Sequence, residues 1–190
     1  MGWTRRFSDY GKRLTLPPTG RCIYCGTTEG KLTTEHPIPN AWGGRIKLPE
    51  ASCGSCQKII NEEIEQYCLR SLFGTLRQQW GMTGTKKRLK PRTSVTILDE
   101  NGNQRRVFAP AKDLPGVIVL PLFSGPYCQE GRRRVPVVDL AFWSATVPSE
   151  TASFLKKHGG THIRTPELNT LLFARFLAKI AHSLAVASSG

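Results

Sequence analysis

The sequence predicts an α+β fold in two parts: a small cysteine-stapled module over residues 1–80 and, past a basic linker or loop at 81–93, a mixed β-hairpin and helix region over 94–190. Three observations predict it. Two C-x2-C pairs, Cys22/Cys25 in "RCIYCG" and Cys53/Cys56 in "SCGSCQ", stand 27 residues apart. The run "GMTGTKKRLKPRT" (Gly81 to Thr93) packs five cations, two glycines and a proline between more apolar stretches. Beyond it, "SVTILDENGNQRRVFAP" sets two β-rich runs around Asn101-Gly102, a hairpin signal.

The elements follow in order. Residues 1–20 are polar and basic and end in the turn-rich "LPPTG". Lys31 to His36 suits a short strand. Pro37, Pro39, Gly43 and Gly44 then forbid regular structure until "RIKL" at Arg45, where a second strand is expected. After the second cysteine pair, helix formers carry apolar residues at Ile60, Ile64, Tyr67 and Cys68, so an amphipathic helix is expected to start within a residue or two of Cys56. "LPGVIVLPLF" and "RRRVPVVDLAFW" read as further strands. Thr165-Pro166-Glu167 reads as the cap of a final helix whose one face carries Leu168, Leu171, Leu172, Phe176, Ile180 and Leu184.

Charge narrows the partner. The 190 residues carry 27 Lys plus Arg against 14 Asp plus Glu, a net +13, which favours a polyanion, with nucleic acid foremost. No run of about 18 apolar residues is found, so no membrane span is expected. The basic start has no apolar stretch after it, which points to a reducing, cytoplasmic setting. Six cysteines in such a setting read as metal ligands before disulfides. Two C-x2-C loops present four soft thiolates, the set that closes a structural Zn2+ site. Cys68 and Cys128 have no partner at metal spacing and read as buried small hydrophobes. His158 and His162 form a looser pair, expected to be solvated.

The same spacing organises a second site. If zinc fixes the start of the helix beside the strand ending in Glu35-His36, that pair faces the helix's first turns. Gln57 and Asn61, four residues apart, share a helix face. With Glu35 they offer three side-chain oxygens, a set suited to Mg2+ or another hard divalent ion. His36, adjacent in sequence but pointing differently, is left to take a proton from water.

The order C-x2-C, "LTTEHPIP", "WGG", "ASCGSC" and a following helix resembles the HNH endonucleases, the ββα-metal (His-Me finger) nucleases, in their zinc-stapled, treble-clef-like version. The resemblance spans residue 22 to about residue 65. It implies that Glu35 is the first ligand of a catalytic divalent metal and His36 the general base that activates water against a phosphodiester of DNA. Gln57 and Asn61 fall where the helix supplies the remaining ligands, and Cys22, Cys25, Cys53 and Cys56 match the structural zinc. Two positions depart from the pattern. Gln57 stands where the family usually has His or Asn, and Leu48 stands where an Asn orients the base, a task for which Asn40 in the loop is the substitute.

Three basic groups complete the expectation as contacts to nucleic acid: Lys86, Lys87, Arg88 and Lys90; Arg105 and Arg106; Arg132, Arg133 and Arg134. Residues 94–190 are expected to position DNA or to oligomerise, a homodimer being one arrangement. Two further readings stay open: a zinc-stapled nucleic-acid-binding protein with a degenerate, inactive site, and a purely structural zinc protein.

Overall fold

A computed structural model describes residues 13–74, 77, 93–123, 140–164 and 169–189. The elements are β1 (Leu14–Thr15), β2 (Leu32–Glu35), β3 (Ile46–Cys53), α1 (Gly54–Ile59), β4 (Thr93–Leu98), β5 (Gln104–Ala109), β6 (Val117–Phe123), β7 (Leu140–Thr146), α2 (Pro148–His158), β8 (His162–Arg164) and α3 (Thr170–Ser189). Small sheets and few helices make a mixed α+β architecture. The described strands form two three-stranded sheets, ordered β1-β3-β2 and β5-β4-β8, and the β6-β7 ribbon.

The first sheet positions the site. β2 lies antiparallel to β3, with Leu32 opposite Cys53 and Glu35 opposite Leu48. Between these pairs β3 bulges at Pro49, which has no N–H to donate, and Glu50, whose φ is +51°. The Thr19 hydroxyl donates to the Glu50 carbonyl at 2.6 Å and steadies the bulge. The second strand is thus longer than "RIKL" implied and runs straight into Cys53. The polar lead-in also contributes β1, parallel to β3, which its composition did not signal.

The helix begins at Gly54, two residues before Cys56, and continues past α1 in wide turns over Ile60–Glu65 and Cys68–Leu72. Such i→i+5 turns are rare and concentrate at functional sites. Their apolar side faces α3. Cys68, Phe173 and Phe176 are buried together there, and Trp42, Tyr67 and Phe73 pack around them.

The hairpin over Asn101-Gly102 has the expected form: β4 pairs β5 from Thr93↔Ala109 to Leu98↔Gln104. Asp99 Oδ1 accepts the backbone N–H groups of Asn101 and Asn103, and Gly102 sits at φ +77°. α2, absent from the sequence expectation, buries Phe154 against Ile97 and Val107. Thr165, Pro166 and Glu167 lie outside the described residues; at the start of α3 as described, Asn169 Oδ1 accepts the Leu172 N–H at 3.0 Å.

α3 is the most apolar of the described helices. Its mean hydropathy reaches 1.4 over an 18-residue window, enough by length and composition alone to cross a membrane. Arg175, Lys179 and His182 interrupt the apolar run that the sequence search required. In the fold, the face bearing Phe173, Phe176, Lys179 and Ser183 is buried against protein.

Candidate active site and cysteine cluster

The four knuckle cysteines come together. The sulfurs of Cys22, Cys25, Cys53 and Cys56 all lie within 4.8 Å of one another, and Cys25 Sγ is 3.7 Å from Cys53 Sγ. Four sulfurs about 2.3 Å from a tetrahedral zinc stand about 3.8 Å apart, so the cluster fits that ion. Backbone geometry prepares the ligands: the Cys56 N–H, followed by the Ser55 hydroxyl, holds the Cys53 thiol down at about 6. Burial and the neighbouring thiols push Cys56 the other way. A divalent cation relieves this crowding by taking all four as thiolates.

Because Cys53 ends β3 and α1 starts at the next residue, the cluster sets the helix beside the end of β2. One cavity of about 320 Å³ results. Its walls include Glu35, His36, Asn40, Gln57 and Asn61, the five residues that the sequence assigns to the catalytic site, together with Glu65.

His36 is half-buried. Burial first, then the charges of Lys47 and Lys179, lower its pKa below the usual imidazole value, which favours the neutral ring at neutral pH. The Asn40 amide lies 3.2 Å from His36 Nε2. A compact loop puts it there: Trp42 N–H donates to Pro39 O at 2.8 Å and Gly43 N–H to Asn40 O at 3.0 Å. Gly43 closes the turn at φ +76°, and Gly44 passes so close to the Ile38 carbonyl that a Cβ would overlap it. Arg77 then pins the loop to the helix, Nε donating to Ala41 O at 2.8 Å and Nη1 to Leu69 O at 3.0 Å. Leu48 is buried in the sheet and offers the imidazole no polar group.

Glu35 is buried at 6% exposure, and its charge is met by a residue the sequence reading did not single out. Lys179 of α3 places Nζ 2.6 Å from Glu35 Oε1 and 2.8 Å from Glu65 Oε1. The same ammonium donates to the carbonyl of His36 at 2.6 Å. Gln57 and Asn61 are exposed on the cavity wall, and Asn61 Oδ1 accepts from Gln66 Nε2 at 3.0 Å. Carboxylate and amide oxygens on one wall are donors of the kind that hard divalent ions take.

The remaining expected residues divide. Cys68 is fully buried, and burial, then the Glu65 charge, pushes its thiol up to about 12, as suits a core residue. His158 packs on Phe154 and His162 meets Thr161; among the described residues the four knuckle cysteines form the metal-spaced cluster. Arg105 and Arg106 lie on β5, where Arg106 is exposed and Arg105 donates to the His158 carbonyl. Lys86, Lys87, Arg88, Lys90, Arg132, Arg133, Arg134 and Cys128 lie outside the described residues.

No curated protein and no solved structure matches the chain. A family model does, that of the HNH endonucleases, over residues 22–73. The match opens on the first knuckle cysteine, closes just past the wide-turn helix and encloses every residue that lines the cavity, while Lys179, which pairs with Glu35, lies outside it. The match covers about a quarter of the chain, the cysteine-stapled segment from residue 22 to residue 73, and suggests nuclease activity in general with nucleic acid as the substrate class.

Proposed function

We propose that the chain is a divalent-metal-dependent endonuclease that hydrolyses phosphodiester bonds of DNA, with structural zinc in the cysteine cluster. One observation carries the reading: Glu35, His36, Asn40, Gln57 and Asn61 line a single cavity beside that cluster. His36 is the general base. Asn40 Nδ2 is the atom placed 3.2 Å from His36 Nε2; rotating the amide by 180° offers Oδ1 to Nε2–H and selects the tautomer whose Nδ1 accepts the proton of an attacking water. Burial keeps the ring neutral, the state a base requires. Glu35, Gln57 and Asn61 are the residues that would hold Mg2+ or a similar ion, which when bound supplies positive charge to the phosphate and the departing oxygen. The net +13 charge draws the polyanion in, and Arg105 and Arg106 are among the cations available to its backbone.

The test is plasmid nicking with Mg2+, Mn2+ or Ni2+, run beside His36→Ala. Metal-dependent cleavage that the substitution abolishes, with salt-sensitive DNA binding retained, supports the proposal. A second reading has its own observation, since Glu35 is already ion-paired to Lys179 and Gln57 is a weak ligand. It predicts DNA binding with no metal-dependent cleavage in either protein.

A further inference from the structure

α3 reaches the candidate site through three polar side chains on one face, at spacings of three and four residues. Lys179, 5% exposed, meets Glu35 Oε1, Glu65 Oε1 and the His36 carbonyl at 2.6, 2.8 and 2.6 Å, with the Pro37 carbonyl at 3.4 Å. An ammonium has three protons, and the three short contacts use them all. One helical turn on, the Ser183 hydroxyl is 3.1 Å from Tyr24 Oη, and the His182 ring Nε2 donates to the Ile23 carbonyl at 2.7 Å. Ile23 and Tyr24 are the two residues between Cys22 and Cys25. One rigid helix therefore grips both the first zinc knuckle and the acid-imidazole pair.

A buried ion pair is a poor device for stability alone, because a well-packed apolar side chain of similar size usually serves as well or better. Its geometry here does something an apolar residue cannot. Lys179 bonds the side chain of Glu35 and the backbone carbonyl of His36, two groups adjacent along the chain, so it fixes the carboxylate and the peptide that launches the imidazole relative to one another.

We propose that Lys179 is a positioning residue of the nuclease site, the outer partner that orients the Glu35 carboxylate for a divalent ion while locking the backbone of His36. The inference rests on the nuclease reading. Glu65 is the counter-charge that lets a lysine sit there: it faces the ammonium from the wide-turn helix, opposite β2. Residues that hydrogen-bond a metal-ligating carboxylate typically change metal affinity or activity by about 10–100-fold when removed.

The full-length protein tests this through Lys179→Met and the double variant Lys179→Met/Glu65→Gln. The double variant removes one of the two carboxylates that the single variant leaves without Lys179, and zinc content and a cooperative melt check that each variant is folded. Mn2+ affinity is measured by electron paramagnetic resonance without DNA, and kcat and KM on a nicking substrate. We expect the folded double variant to bind Mn2+ about 10–100-fold more weakly and to lose kcat by a similar factor, with KM for DNA within about twofold of wild type. A variant that melts lower but keeps wild-type Mn2+ affinity and kcat would reduce Lys179 to a structural tie and overturn the proposal, while leaving the nuclease reading intact. A wild-type protein that neither binds Mn2+ nor cleaves DNA would overturn both.

Discussion

Phe176 is fully buried where α3 crosses the wide-turn helix, its ring edge-on to Trp42 with centroids 5.1 Å apart. Alanine there removes a whole aromatic ring from a site ringed by Trp42, Tyr67, Phe73 and Phe173, side chains too rigid to collapse into the space. Phe→Ala in such cores costs about 3–5 kcal/mol, and a protein of this length loses about 2–4 °C of Tm per kcal/mol. The expected drop is therefore about 6–20 °C. Chemical denaturation followed by circular dichroism, with the melt run in parallel, measures both quantities. Leu171→Ala on the same helix is the internal control: Leu171 is 52% exposed, and its loss should change stability by about 0.5 kcal/mol or less. A Phe176→Ala loss below about 1 kcal/mol, or equal effects at the two positions, would refute the docking of α3 onto the wide-turn helix.

Cys56→Ser should abolish stoichiometric zinc, measured by atomic emission, and unfold residues 22–73, whose helix start depends on the cluster. Gly44→Ala places a methyl group in the Ile38 carbonyl and must shift the loop carrying Asn40; we expect about 1–3 kcal/mol of destabilisation by denaturant titration and a lower kcat. His36 has a lowered pKa, so below that value the ring is protonated and cannot act as a base. Cleavage should accordingly fall as pH drops, with an acid limb centred below the usual imidazole pKa of about 6.5. A pH–rate profile whose acid limb sits above that value would contradict the burial that lowers it.

What the sequence disclosed was local. The two C-x2-C pairs, the acid-His pair at a strand end and the Asn101-Gly102 hairpin each lie within a few residues, where spacing dictates geometry, and each takes its expected form. Gln57 and Asn61 were legible because four residues make one helical turn, and their cavity wall is shared with Glu35. The same stripe continues to Glu65, four residues on, and extending the count one turn would have found it. Lys179 was another matter. It sits 143 residues from His36, amid a face that reads as apolar, and no short-range pattern marks a lysine whose partners come from so far up the chain. α2 was missed because "PSETASFLKKH" buries a single residue, Phe154, too little to make a hydrophobic stripe.

That long separation sets a timetable. A ribosome adding roughly 5–20 residues per second produces Lys179 about 7–29 s after His36. All four cysteines are present once Cys56 has followed His36, yet until Lys179 is made the Glu35 carboxylate lacks that counter-ion and the peptide after His36 its clamp. The four cysteines are thus complete well before α3 is, and the arrangement of Glu35 and His36 described above waits until α3 has been made and docked.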